Sequence, residues 1–206
     1  MKLTPAKNKE KWMACPVDFV EFPGLAYIYH LNELIISKKL DALHECFGKI
    51  ELGYTIYNKN GEKVFLAVRY HLDQTFLMKI FNHYGNEVIN IKISKPSAWF
   101  CNKALVWAPP DNYVGAVEQR PTIKDKFTFA DKFLVKNSQN EVVLDIIANG
   151  VNNFVYSLNS CGEEVGVIME KWGGGKNFGV SFPEDLRVGD KAVVLGACFL
   201  IGCLKY

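Results

Sequence analysis

The chain has 206 residues, 49% of them apolar and 22% charged, with a formal net charge of +2. That length suits one compact domain able to bury about 70% of its unfolded surface, and the apolar share excludes a disordered chain. The charges are spread along the sequence, apart from Lys2, Lys7, Lys9 and Lys11, so a basic nucleic-acid-binding face is excluded as well.

Residues 1–15 read as a short, basic, flexible segment ahead of a single domain over 16–206. Its lysines have two readings: a solvated terminus, or weak attraction to an anionic leaflet worth about 1 kcal/mol per Lys. Six cysteines, at 15, 46, 101, 161, 198 and 203, form no CxxC pair, and no apolar signal segment precedes them. A reduced, cytosolic compartment without disulfides is expected. The histidines at 30, 44, 71 and 83 show no HExxH spacing, and neither GxSxG nor a P-loop occurs, so each reads as a surface or half-buried His. No catalytic residue is predicted.

A repeat organises the middle of the chain. Four times an apolar run is followed by Asn, two residues, Gly or Asn, two residues, Val and a second apolar run: Asn58/Gly61/Val64, Asn82/Gly85/Val88, Asn137/Asn140/Val143 and Asn159/Gly162/Val165. The flanks are rich in β-branched and aromatic residues, and Asn and Gly supply the left-handed backbone of a tight reversal. Each copy is predicted to be a β-hairpin. ALVWAPPDNYVGAVEQ has the same plan, reversing at Pro109 and Pro110, which cannot donate ladder hydrogen bonds. At least five hairpins follow, and they must stack as a sandwich or close into a barrel to remove their edges.

The C-terminal run favours closure. Ser181, Pro183 and Glu184 resemble a helix start with Ser as the cap. From Ala192 to Leu204 every residue is apolar or Gly. Thirteen residues rise about 20 Å as a helix, short of the ~30 Å hydrocarbon core that takes about 20 to cross. A helix apolar on every side and of this length belongs in a protein core, where Gly196, Ala197 and Gly202 would let strands approach closely. Cys198 and Cys203 then read as small core residues rather than metal ligands.

Four stretches carry a family resemblance: FPGLAYI (22–28), APPDNYVG (108–115), KNFGVSFPEDL (176–186) and KAVVLGACFLI (191–201). With them the chain resembles a phospholipid scramblase of the tubby-like superfamily, from about Pro16 to Ile201. The resemblance implies a closed antiparallel β-barrel of about twelve strands around a central apolar helix at about 184–204, with Leu195, Cys198, Phe199 and Ile201 in its core. It implies a protein held at the cytosolic face of a membrane, the plasma membrane by expectation, and linked to ATP-independent, bidirectional movement of phospholipids between leaflets. Such an activity makes and breaks no bond.

Three family features are altered. A long Pro-rich leader is reduced to about fifteen residues. A cluster of acylated cysteines is reduced to Cys101, in SAWFCNKALVWAPP, where Trp99, Phe100 and Trp107 either sit at a headgroup boundary or pack down on the barrel. If Cys101 carries a fatty acid, one chain gives only marginal attachment and needs a second signal, for which the Lys-rich start is a candidate. The basic nuclear-import stretch is replaced by VIMEKWGGG, so no nuclear role is expected.

The resemblance also implies calcium, bound by an acidic segment around NFG and FP. Here the metal candidates are Asn177, Ser181 and Asp185, with one carboxylate among them and Lys176 beside them. Calcium takes six to eight oxygens, so binding is predicted to be weak or absent. The same segment reads as a structural turn with Phe178 and Phe182 packed inward. Two functions remain open: a scramblase, whose polar path an oligomer would have to complete, and a non-transporting peripheral adaptor that binds lipid or protein.

Overall fold

The computed structural model describes residues 11–16, 23–48, 50, 52–72, 75–94, 102–120, 123–124, 128–129, 132–148, 155–172 and 177–205. Twelve strands close into one antiparallel barrel. In chain order these are β1 (Glu33–Ser37), β2 (Leu52–Tyr57), β3 (Lys63–Leu72), β4 (Thr75–Phe81), β5 (Glu87–Ser94), β6 (Lys103–Trp107) and β7 (Tyr113–Arg120). After a separate two-stranded ladder, β8 (Ile123–Lys124) with β9 (Thr128–Phe129), the barrel resumes with β10 (Lys132–Asn137), β11 (Val142–Ala148), β12 (Val155–Ser160), β13 (Glu163–Trp172) and β14 (Asn177–Ser181). The ring closes where β1 pairs β14, Leu34 opposite Val180 and Ile36 opposite Phe178. A short helix, α1 (Ala26–Tyr29), precedes β1, and α2 (Val188–Lys205) follows β14.

The Asn repeat explains its own turns. Asn58 and Asn82 directly follow a strand and Asn137 ends one, and each side-chain Oδ1 accepts the backbone N–H groups two and four residues on, all at 3.0 Å. The residue three after the Asn takes φ 76°, 80° and 65° at Gly61, Gly85 and Asn140, a left-handed backbone that Gly and Asn tolerate. The three Asn side chains thus satisfy amides that a reversal would otherwise strand, and they are themselves buried. The fourth copy departs from this pattern. Asn159 lies within β12, and Cys161 and Gly162, both at positive φ, make a two-residue turn in which Ser160 faces Glu163. The proline-containing reversal spans Ala108 to Asn112, whose backbones join at 2.8 Å.

Every residue of α2 from Asp190 to Ile201 is buried, so no face of that stretch is left for water. Leu195 (0%), Cys198 (2%), Phe199 (4%) and Ile201 (1%) lie in the core, each large side chain contributing about 2 kcal/mol by burial. The helix is 18 residues and about 27 Å long, and it threads the barrel from end to end. Its head meets Val114 at Gly189, its middle meets Val106 at Gly196, and Phe199 crosses Tyr54 at 5.4 Å. A Cβ at Gly196 would come within 2.7 Å of Val106, so Gly is what lets β6 approach. Among the described residues no helix is long and apolar enough to cross a membrane.

The helix begins at Val188, later than the expected 184. Ser181 is the last residue of β14, and its Oγ accepts the Val167 N–H at 3.1 Å, so it bonds β13 rather than capping a helix. Residues 183–186 form a turn, closed by the Leu186 N–H on the Pro183 carbonyl. Phe182 is 3% exposed, so NFGVSFP does carry the last strand into the core.

Lys191, one turn into α2, is completely buried. Its Nζ donates to the carbonyls of Tyr29 (2.6 Å), Glu184 (2.7 Å) and Leu31 (2.9 Å), with Ile28 at 3.3 Å, and lies 5.4 Å from the Phe182 ring. Burial draws its pKa down from 10.5 to about 8, opposed by Glu184 and Asp185, so the ammonium persists at neutral pH. The three N–H groups thus tie the segment before β1, the turn after β14 and the helix into one knot.

Two substitutions test this architecture. Leu200→Asp places an unpaired charge at a fully buried site and should cost about 4 kcal/mol or more, seen as loss of near-UV circular dichroism and of a cooperative melt. Lys191→Met leaves buried carbonyls without a donor; we expect about 3 kcal/mol of destabilisation, with hydrogen exchange accelerated first at residues 28–31 and 184–191.

Candidate functional site

Antiparallel order sends every Asn-type turn to one end of the barrel, together with the β6–β7 and β12–β13 turns, the β14–α2 connection and the head of α2. This end is the mouth. A cavity of about 700 Å³ opens there between the first turn of α2, the 184–187 connection, the residues after α1 and the turns at 112–114 and 137–138. Asp190 lines it from the first turn of α2.

Three carboxylates and one guanidinium line the cavity. Glu184, Asp185 and Arg187 are exposed, whereas Asp190 is only 5% exposed. No described residue hydrogen-bonds or ion-pairs with the Asp190 carboxylate. Burial raises its pKa above the ordinary carboxylate range, and the charge of Arg187 opposes that shift. His30 Nδ1 stands 4.0 Å from Glu184 Oε1 at the rim, both side chains well exposed. Tyr29 and Tyr113 flank the opening, 44% and 37% exposed, and at the same end Tyr84 is 70% and Val142 52% exposed.

The sequence candidates are scattered relative to this cavity. Asn177 begins β14 opposite Trp172, and Ser181 ends it. Four strand steps separate them by about 13 Å, too far to share one ion. Of the three, Asp185 alone lines the cavity. No trio of His, Cys, Asp or Glu gathers in metal-binding geometry among the described residues. Cys101, with Trp99 and Phe100, lies outside the described residues, as do Lys2, Lys7 and Lys9. Trp107 is at the mouth end of β6, its ring 5.9 Å from Tyr113, so the strand carries it away from residue 102.

Cys15, Cys46, Cys161 and Cys198 are free thiols; burial pushes the Cys198 thiol well up, leaving it an inert core residue. His44 is buried, and its Nδ1 accepts the Asp41 N–H at 2.7 Å in a structural capping contact. The residues that the sequence reading passed over are Asp190, Arg187, Tyr29 and Tyr113. One signal was available for the first: Asp190 and Lys191 are adjacent charges at the head of an otherwise apolar run, where an unpaired charge is costly.

A family model described as Scramblase matches residues 13–206. The chain is 29% identical to phospholipid scramblase 1 of Mus musculus, an alignment covering 92% of this chain and 66% of that protein. It is 28% identical to phospholipid scramblase 2 of Bos taurus (95% and 76%) and to phospholipid scramblase family member 5 of Homo sapiens (86% and 75%). The chain therefore spans just under two thirds of the length of the mouse relative. Among solved structures, a protein of Arabidopsis thaliana superposes with a TM-score of 0.53 at 10% identity, covering 87% of this chain and 96% of its own, a likeness of fold alone. A closed twelve-stranded barrel threaded by an apolar helix, with the family match running its whole length, makes this chain a member of the scramblase family on a tubby-like fold.

Proposed function

We propose that this chain acts at the cytosolic face of a membrane, the plasma membrane by analogy with its relatives, and promotes bidirectional, ATP-independent movement of phospholipids between leaflets. The observation that carries the reading is the family match over residues 13–206. The tyrosine-flanked mouth is compatible with it, since Tyr favours the boundary between headgroups and hydrocarbon. The activity involves no bond chemistry, so the protein is not an enzyme in this reading. It does not involve nucleic acid.

A polar headgroup needs a polar path or a thinned bilayer to cross. With α2 occupied as the barrel's core, a single copy brings no helical span from its described residues to make one. Homo-oligomerisation, or local distortion of the bilayer by a peripheral protein, supplies the path in this proposal. The same observation favours one second reading, a peripheral adaptor that binds lipid or protein without transporting it. Membrane residence is assigned to an acyl chain on Cys101, aided by the lysines at the start of the chain. Calcium binding is proposed to be no tighter than roughly millimolar, because Asn177, Ser181 and Asp185 are spread along a strand and the turn beyond it.

Purified protein in liposomes carrying fluorescent lipid should speed leaflet exchange, read by dithionite quenching, equally in calcium and in chelator. No exchange above protein-free vesicles would leave the adaptor reading. Micromolar calcium binding by calorimetry, lost in Asp185→Ala, would overturn the calcium proposal. Cys101→Ser should raise the fraction released by alkaline carbonate several-fold without changing the melt, and an unchanged membrane fraction would sink the acylation proposal.

A further inference from the structure

The mouth holds a buried carboxylate without an ion-pair partner among the described residues. Asp190 is 5% exposed, lines the cavity, and receives no hydrogen bond or ion pair from a described residue. Isolated charges buried in proteins are paired or neutralised, because desolvation is costly. The nearest fixed cation, Arg187, acts on Asp190 through its field but forms no ion pair with it, and its side chain is exposed. Lys191, the next residue, is committed to four carbonyls on the other side of the helix head. Glu184 and Asp185 add two exposed carboxylates to the lining, so the cavity favours a cation, held deepest at Asp190, while Arg187 is the guanidinium among its described lining residues that an anion can meet.

Tyr29 and Tyr113 wall the same opening. Aromatic rings and a carboxylate lining one cavity suit an ammonium carrying methyl groups or hydrogens, which gains from both the charge and the ring quadrupole. At about 700 Å³ the cavity is the size of small-molecule sites. A cation and an anion held side by side describe a zwitterion.

We propose that the mouth cavity binds the zwitterionic headgroup of an amine-bearing phospholipid, with its ammonium on Asp190 between Tyr29 and Tyr113 and its phosphate on Arg187 at the head of α2. This rests on the lipid-directed reading above and names the headgroup class. The exposed Tyr84 and Val142, on turns of the same end, commit the source to a membrane surface rather than a free metabolite, because they give the rim apolar contact with a bilayer.

The test uses the whole chain, isotope-labelled, with the amides of residues 28–31, 112–114 and 184–191 followed by nuclear magnetic resonance. Glycerophosphocholine should shift these amides saturably. Glycerol 3-phosphate, which lacks the ammonium, should bind about tenfold more weakly or worse, and Asp190→Asn should erase that difference. Phosphatidylcholine vesicles should compete for the same amides. The proposal is overturned if the two soluble compounds bind alike, if shifts fall elsewhere, if Asp190→Asn folds and keeps the preference, or if the vesicles do not compete. The wild-type comparison decides the matter even where Asp190→Asn fails to fold. Headgroup binding without leaflet exchange in liposomes supports this site while removing the transport reading; exchange without headgroup preference does the reverse.

Discussion

A helix with no polar face, outside the hydrocarbon of a bilayer, can exist only if something surrounds it completely. That constraint governs the rest of the molecule. An open sheet or a two-layer sandwich would leave one side of α2 wet, so the hairpins are obliged to close, and β1 must travel back to meet β14. Closure by itself would leave the helix free to slide along a greasy channel. Lys191 prevents this, since its hydrogen bonds to carbonyls at 28, 29, 31 and 184 fix both the depth and the rotation of the helix head. The desolvation of one ammonium is offset by carbonyls that would otherwise be stranded where β1 begins and β14 ends.

Much of the barrel was legible because its signals are local. Asn58, Asn82 and Asn137 announce hairpins through a side chain that bonds the two amides it must reverse, and alternation in segments such as KFLVKN marks which face is buried. The fourth copy is a hairpin as well, but Cys161 and Gly162 take its tighter turn and Asn159 stays in the ladder. Ser181 misled: its neighbours resemble a capping box, yet its hydroxyl serves the neighbouring strand. Local chemistry proposes such roles, and the tertiary partner decides among them.

The mouth was not legible, because its parts lie at 29–30, 112–114, 137–138 and 184–190. No window of sequence contains it. The metal candidates Asn177, Ser181 and Asp185 came instead from the family resemblance around NFG and FP, and the extended backbone of β14 separates the first two by the length of the strand. A loop of ligands requires a turn, and a strand supplies distance.

The antiparallel order has a further result for how the protein can sit. Strand β5 leaves the mouth and ends at Ser94, and β6 starts at Lys103 and returns to it, so both of those strand ends lie at the pole opposite the cavity, toward which α2 also runs. The two poles are about one helix length, ~27 Å, apart. That distance is close to the ~30 Å thickness of a hydrocarbon core, so a flat surface that meets the mouth leaves the far end of the barrel standing clear of it.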